Sequence, residues 1–185
     1  MSEPGGLPLA LTLGEPAGIG PELTIRIWRR RRELRLPPFY LVGDPDFVRD
    51  RARQLGSEIA LSTVTPAQAA DVFPRALPVV PLQLPVTAAT GKPDESSAPA
   101  AIASIRRAVS DVLAGQAAGI VTNPVAKNVL YRSGFAEPGH TEFLAKLVEE
   151  ATGKASRPVM MLWSPELAVV PVTIALIACV VPWTR

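Results

Sequence analysis

The alternation of short apolar runs with capped helices constrains this chain more than any other feature. Leu7–Leu13 is an apolar run that stops at Gly14, the pattern of a strand buried on both faces. A glycine-bearing loop from Gly14 to Gly20 follows. Pro21 and Glu22 then mark a helix start, because proline fits the first helical turn and an acid there opposes the helix dipole. Phe39–Val42 is the second run, after which Asp44 is placed to cap a helix reaching Leu55 and Gly56 to end it. Glu58–Leu61 and Leu77–Leu82 read as weaker strands, and Pro78 and Pro81 assign the latter to a sheet edge. Pro85 to Pro93 is a loop. Ile102, Ile105, Val109, Val112 and Leu113 then recur at helical spacing until Gly115. Ala118–Val121 is the next strand, leading to a helix capped by Asn123 and stopped near Gly134. Thr141 is the expected cap of another helix carrying Phe143, Leu144, Leu147 and Val148, closed by Gly153. Val159–Trp163 and Ala168–Ile174 are the last strands. Strand-then-helix order of this kind predicts an α/β fold: an open, mostly parallel sheet with helices on both faces.

Composition narrows the chemistry. The 185 residues include one histidine and one cysteine. One cysteine excludes a disulfide framework and a thiolate zinc cluster, and one histidine excludes a site built from several imidazoles of one chain. The net charge of +2 hides an uneven distribution: Arg26, Arg29–Arg32 and Arg35, with Glu33 among them, contribute +5, leaving −3 for the rest. This run reads either as an anionic-polymer patch or as the solvated face of a helix whose other face carries Leu23, Ile27 and Leu34. Without aromatic interleaving or a second basic cluster, nucleic acid is not the expected partner. The apolar run Leu167–Val181 holds 15 residues with Pro171 and Thr173 inside it, short of the roughly 20 that cross a bilayer, so no membrane partner is expected. Residues 1–6 carry an acid and no base, unlike a secretory leader, and a cytoplasmic location is expected.

Three strand-to-helix junctions hold the candidate functional residues, because ligands of open α/β sheets bind beyond the carboxyl ends of strands. At Gly14–Glu22 the glycines let backbone approach a ligand, and Glu15 is available to a hydroxyl or ammonium group. The same residues also fit a tight turn with a surface carboxylate. The spacing is neither that of a dinucleotide fingerprint nor that of a phosphate loop. At Thr122–Lys127 a hydroxyl, a cap amide and an ammonium are close enough in sequence to meet one anion or carbonyl. An ordinary Asn-Pro cap with an exposed lysine fits equally. At Pro138–Phe143, His140 and Thr141 sit beside helix-start amides, an arrangement suited to phosphate or carboxylate, or to a purely structural imidazole. Gly91-Lys92 lacks the upstream glycine of a phosphate loop. Cys179 lies in an apolar run with no neighbouring base and reads as inert.

Together these motifs resemble the 4-hydroxythreonine-4-phosphate dehydrogenase family. The resemblance rests on Thr12–Glu22, Val121–Lys127 and Gly139–Phe143 in that order, with Thr90-Gly91-Lys92-Pro93 and Val159–Leu162 in support. It spans residues 7–174, about the N-terminal half of a typical member. It implies an isocitrate/isopropylmalate-dehydrogenase-like fold with two domains flanking a cleft, and a homodimer. It implies oxidation of the C3 hydroxyl of 4-phosphooxy-L-threonine by NAD or NADP, on the route to pyridoxal phosphate. The resulting β-keto acid loses carbon dioxide, and a divalent metal polarises the new oxygen. By motif match His140 and Thr141 contact the substrate and the Thr122–Lys127 segment lines the same cleft, with Thr122 and Glu15 as further substrate-binding candidates. Lys127 is placed as a proton relay or phosphate partner. Related enzymes acting on another phosphorylated hydroxy acid or a diol carboxylate share these motifs, and a non-catalytic ligand-binding fragment is a further alternative.

The chain also departs from the family. Where the family places a metal-binding histidine after the strand ending at Ile174, this chain has Ala175, and residues 175–185 no longer follow the pattern. The expectation is therefore a chain whose residues 1–174 hold parts of both family domains. Residues 175–185 then form a divergent tail of the kind a frameshift or premature stop produces. The metal ligands and most of the cofactor site are expected to be absent from it.

Overall fold

The computed structural model describes residues 6–137, 139–171 and 178–181, the last by backbone alone. They divide into two compact units, split between Ala136 and Glu137.

The first unit is a five-stranded sheet. Its strands are β1 (Leu9–Thr12), β2 (Phe39–Gly43), β3 (Leu61–Thr63), β4 (Leu77–Pro81) and β5 (Gly119–Val121), in the order β3-β4-β2-β1-β5. Every pairing is parallel. The helices are α1 (Gly20–Arg29), α2 (Pro45–Gln54), the short α3 (Ala69–Val72), α4 (Ala98–Leu113) and α5 (Lys127–Arg132). The two-residue period of the strands sorts the core into two layers. Leu11, Phe39, Leu41, Leu77 and Val79 face Trp28 of α1 and Val48 of α2. Ala10, Tyr40, Val42 and Val80 face Ala69 of α3 and Ala108 of α4. Helices thus cover both faces, as the strand-then-helix order requires.

Several local signals act as the sequence implies. The Asp44 carboxylate accepts from the backbone N–H groups of Asp46 and Phe47, and Gly56 ends that helix at a φ of +60°. Gly115 and Gly153 take the same left-handed conformation after their helices. Other expectations shift. β4 lies inside the sheet, between β3 and β2, and not at its edge. Its prolines are tolerated because each stands where a ladder ends. The β2–β4 register starts at Val79, just past Pro78, and the β3–β4 register stops at Val79, short of Pro81. The third strand forms over Leu61–Thr63, later than Glu58–Leu61. α1 buries Thr24, Ile25 and Trp28, whereas Leu23 and Leu34 are exposed. The helix stops at Arg29, so most of the arginine run forms a turn beyond it and is not a helix face. In α4 the expected Leu113 is exposed, and the buried stripe is made of alanines with Ser104, Ile105 and Val109.

α4 is fastened to the sheet by polar contacts that periodicity does not reveal. The Ser104 hydroxyl donates to the Val42 carbonyl at 2.7 Å and accepts from the Leu13 N–H at 2.8 Å, joining two strand ends as they diverge. Further along the helix, the Tyr40 hydroxyl donates to Asp111 at 2.8 Å, and Arg107 donates to the other carboxylate oxygen at 2.8 Å.

The second unit contains α6 (His140–Thr152) and an antiparallel sheet ordered β6 (Leu162–Trp163), β7 (Ala168–Pro171) and β8 (Ala178–Val181). β6 is shorter than the expected Val159–Trp163, and those five apolar residues are exposed. Ala175 and the expected strand residues beyond Pro171 lie outside the described residues, as does the Cys179 side chain. No helix among the described residues is long and apolar enough to cross a membrane.

Burial, and then the Asp111 carboxylate, push the Tyr40 hydroxyl far above its ordinary value near 10. The folded state therefore holds this proton more tightly than the unfolded chain. The corresponding stability is complete below pH 10 and drains away as pH rises beyond it. Tyr40→Phe is expected to cost about 1–3 kcal/mol at pH 7. It is also expected to lose less stability between pH 9 and 11 than the unaltered chain. Urea unfolding at the two pH values checks both.

Candidate functional site

The strand order places a topological switch point at β1. The chain leaves β1 for β2 on one side, and β5 lies on the other, so the loops after β1 and β5 flank the crevice where such sheets bind ligands. These loops are Gly14–Ile19 and Thr122–Ala126, the first two junctions singled out from the sequence.

The structure joins them through Asn123. Its side-chain amide donates to the Thr12 carbonyl and to the Thr24 hydroxyl, both at 2.9 Å, and its backbone N–H donates to the Thr12 hydroxyl at 3.1 Å. Thr24 in turn donates to the Gly20 carbonyl at 3.0 Å. Thr12, Thr24 and Asn123 are all buried, so each bond is made away from water. Asn123 is therefore not a helix cap. The helix it was expected to start begins later, at Lys127, with Ala126 as the flanking residue. Asn123 turns inward because it finds buried acceptors there, and its amide does not join Thr122 and Lys127, whose residues are exposed.

The glycines of the first loop serve this same contact. A Cβ on Gly14 would stand 2.6 Å from the Pro124 carbonyl oxygen and 2.7 Å from Asn123 Cβ; one on Gly20 would stand 2.8 Å from the Leu13 carbonyl oxygen. The neighbouring Glu15 N–H donates to the Pro124 carbonyl at 2.8 Å. The expected approach of a ligand to this backbone is thus taken up by the protein's own second loop. Glu15 is correspondingly no surface carboxylate. It is 4% exposed, Oε1 accepts from the Ala17 N–H at 3.1 Å, and Oε2 is buried without a hydrogen-bond partner.

Arg51, which no motif singles out, holds the loop from the other side. Its guanidinium is 2% exposed, donates to the Pro16 carbonyl at 2.9 Å and stands 3.9 Å from Glu22. Burial pushes this guanidinium below its ordinary value, and the Glu22 charge draws it part of the way back. The signal was available: Arg51 shares one helical face with the buried Val48 and Ala52. The Thr90–Pro93 stretch also reaches this loop, the Gly91 N–H donating to the Ala17 carbonyl at 2.8 Å.

In the second unit, α6 begins at His140, two residues earlier than a Thr141 cap implies. Gly139 is the flanking residue, and its carbonyl accepts from the Phe143 N–H at 3.1 Å. Thr141 therefore lies within the first turn and is not the cap. Both His140 and Thr141 are half-buried.

The implied metal does not find its ligands among the described residues. No group of three or more His, Cys, Asp and Glu side chains among them is arranged to hold a metal ion. The space beside the Gly14 loop, whose spacing is not that of a dinucleotide fingerprint, is filled by Asn123 and Pro124.

Residues 35–181 match the profile of the family described as pyridoxal phosphate biosynthetic protein PdxA. The chain belongs to the PdxA family. It is 58% identical over 182 residues to the 4-hydroxythreonine-4-phosphate dehydrogenase of Bradyrhizobium diazoefficiens, an alignment covering 94% of this chain and 52% of that protein. It is 53% identical over 169 residues to an enzyme of the same name from Methylorubrum extorquens, covering 90% of this chain and 48% of that one. The crystal structure of a 4-hydroxythreonine-4-phosphate dehydrogenase from Burkholderia phymatum superimposes with a TM-score of 0.76 at 25% identity. It matches 91% of this chain and 50% of its own. This PdxA-family chain spans about half the length of the relatives it matches. Thr122, Lys127, His140 and Thr141 fall within the matched profile, and Glu15 precedes it.

Two glycines separate backbone strain from packing. Gly14→Ala meets both a left-handed φ of +71° and backbone atoms inside contact distance, and is expected to cost about 3 kcal/mol or more. Gly91→Ala has a similar φ of +74° but open space around it, and is expected to cost only about 1–2 kcal/mol. Comparison of urea midpoints measures the difference.

Proposed function

We propose that this chain carries the first half of a 4-hydroxythreonine-4-phosphate dehydrogenase. The whole enzyme oxidises the C3 hydroxyl of 4-phosphooxy-L-threonine with NAD or NADP, and the β-keto acid formed then loses carbon dioxide. The observation that carries this reading is the 58% identity to the Bradyrhizobium dehydrogenase across 94% of this chain. It is supported by the position of two of the three family motifs at the switch point of a parallel sheet.

The roles of individual residues follow from their chemistry. His140 and Thr141, at the start of α6, supply an imidazole and a hydroxyl beside free helix N–H groups, a setting that favours a phosphate or carboxylate of the substrate. Lys127 carries an exposed ammonium that exchanges the proton of the C3 hydroxyl or pairs with the phosphate. Thr122 contributes a hydroxyl on the same loop, and Glu15, whose Oε2 has no hydrogen-bond partner, is the carboxylate available to a hydroxyl or ammonium group of the substrate. A divalent metal, when bound in the complete enzyme, polarises the oxygen at C3. Because the described residues do not gather its ligands, no step through it is assigned to this chain. A homodimer, as in the family resemblance, is part of the same proposal.

Binding tests this reading without requiring turnover. With the purified chain, 4-phosphooxy-L-threonine at about 100 times its Kd is expected to add about 2.7 kcal/mol to stability. His140→Ala is expected to remove most of that gain, and 4-hydroxy-L-threonine, which lacks the phosphate, to give little of it. Thermal melts read all three. Equal stabilisation by the unphosphorylated compound, or none by either, overturns the substrate assignment.

A further inference from the structure

The turn that follows α1 holds an unneutralised cationic cavity. A space of about 570 Å³ opens between residues 31–38 and Phe73-Pro74, with Pro38, Phe73 and Pro74 as apolar walls and Arg31, Arg32 and Arg35 as cations. Arg31 lies over the Trp28 ring, 3.8 Å from its centroid. It donates to the Trp28 carbonyl at 3.0 Å and to the Pro74 carbonyl at 2.6 Å. These contacts fix the guanidinium, yet its Nε–H is buried and has no partner. Arg32 and Arg35 are exposed and form no ion pair among the described residues, while the neighbouring acid, Glu33, is engaged by Arg30. Burial, and then the Arg32 charge, lower the hold of Arg31 on its proton, a penalty that a bound anion relieves. Arg35 is also the only non-glycine residue at positive φ, +50°, among the described residues. There it closes the turn, the Leu36 N–H donating to the Arg31 carbonyl at 2.9 Å, and so sets the Arg35 side chain beside the cavity.

The cavity lies just before the first residues of β2 and β4. It is therefore at the opposite end of the parallel strands from the loops that carry Glu15, Thr122 and Asn123. We propose that it is a second binding site, for a small organic phosphate. The phosphate engages the exposed forks of Arg32 and Arg35 beside the Arg31 guanidinium that Trp28 and Pro74 hold in the wall, and its carbon body rests on Phe73 and Pro74. Confinement to one cavity, with the remaining charge of the chain at −3, favours a small molecule over a nucleic acid or a lipid surface.

Phenyl phosphate is the probe, titrated calorimetrically into the full-length chain beside inorganic phosphate and phenol. Saturable binding is expected, tighter than that of either component. It should weaken at least about tenfold in the Arg32→Gln/Arg35→Gln double variant. His140→Ala should retain it, which separates this site from the substrate reading. Arg49→Gln/Arg53→Gln, a charge-matched change in residues that pair with Asp46 and Asp50, should retain it too. Arg35→Gly is expected to weaken binding while raising the melting temperature, because it relieves the left-handed backbone. A fall in both would mark Arg35 as a structural residue and overturn its role. Absence of saturable binding, or binding lost in His140→Ala and kept in the arginine double variant, overturns the site. Tighter arginine-dependent binding of a DNA duplex or of phosphatidylserine vesicles overturns the small-molecule class.

Discussion

The amide of Asn123 is the contact on which the switch-point end of the first unit depends. It closes a gap between the loops after β1 and β5, and three buried partners, Thr12, Thr24 and Gly20, are satisfied through it directly or by relay. Such a network has no partial version: any donor or acceptor left over would be a buried polar group without water. The need for close approach also explains Gly14 and Gly20. Their missing side chains leave the room that Asn123 and the Pro124 carbonyl occupy. The consequence is a switch-point crevice with a rigid floor, above which Thr122 and Lys127 remain exposed.

Around that floor the sheet is held by polar contacts at the places where strands stop pairing. Nearer the strand middle the Tyr40 hydroxyl and Arg107 meet on the Asp111 carboxylate, a contact between side chains, whereas Ser104 bridges the backbone of Leu13 and Val42 just past the end of β1. Arg51 does the same for the first loop by taking the Pro16 carbonyl. Ser104 and Arg51 are helix side chains that reach backbone groups no strand can satisfy. The alanine-rich face of α4 allows that helix to lie close enough to the sheet for its bonds to form.

Much of the fold was legible in the residues. Asp44, Gly56, Gly115 and Gly153 mark their helix ends as expected, and the apolar runs locate all five strands of the parallel sheet within a few residues. Pro78 and Pro81 misled because a proline's missing N–H matters only where a neighbour's carbonyl awaits it, and that depends on register. Asn123 and Thr141 misled for a related reason. Both residue types cap helices, yet Asn123 found buried acceptors elsewhere and Gly139 had already taken the flanking position ahead of His140. Of the candidate site residues, Glu15 kept its place at the switch point but proved buried, and Thr122 and Lys127 kept theirs in the open.

By itself the sequence determined what is settled within a few residues of chain: which segments are extended or helical, where they stop, and hence an α/β class with a parallel sheet. Backbone preference and capping are local, so they survive without knowledge of the fold. Tertiary structure decided what each polar side chain is for. The partners of Asn123 lie 111 and 99 positions away, and that of Ser104 at Leu13 lies 91 away. Only a folded sheet brings such residues within hydrogen-bonding distance, and only there does burial make an unpaired group costly enough to fix its role.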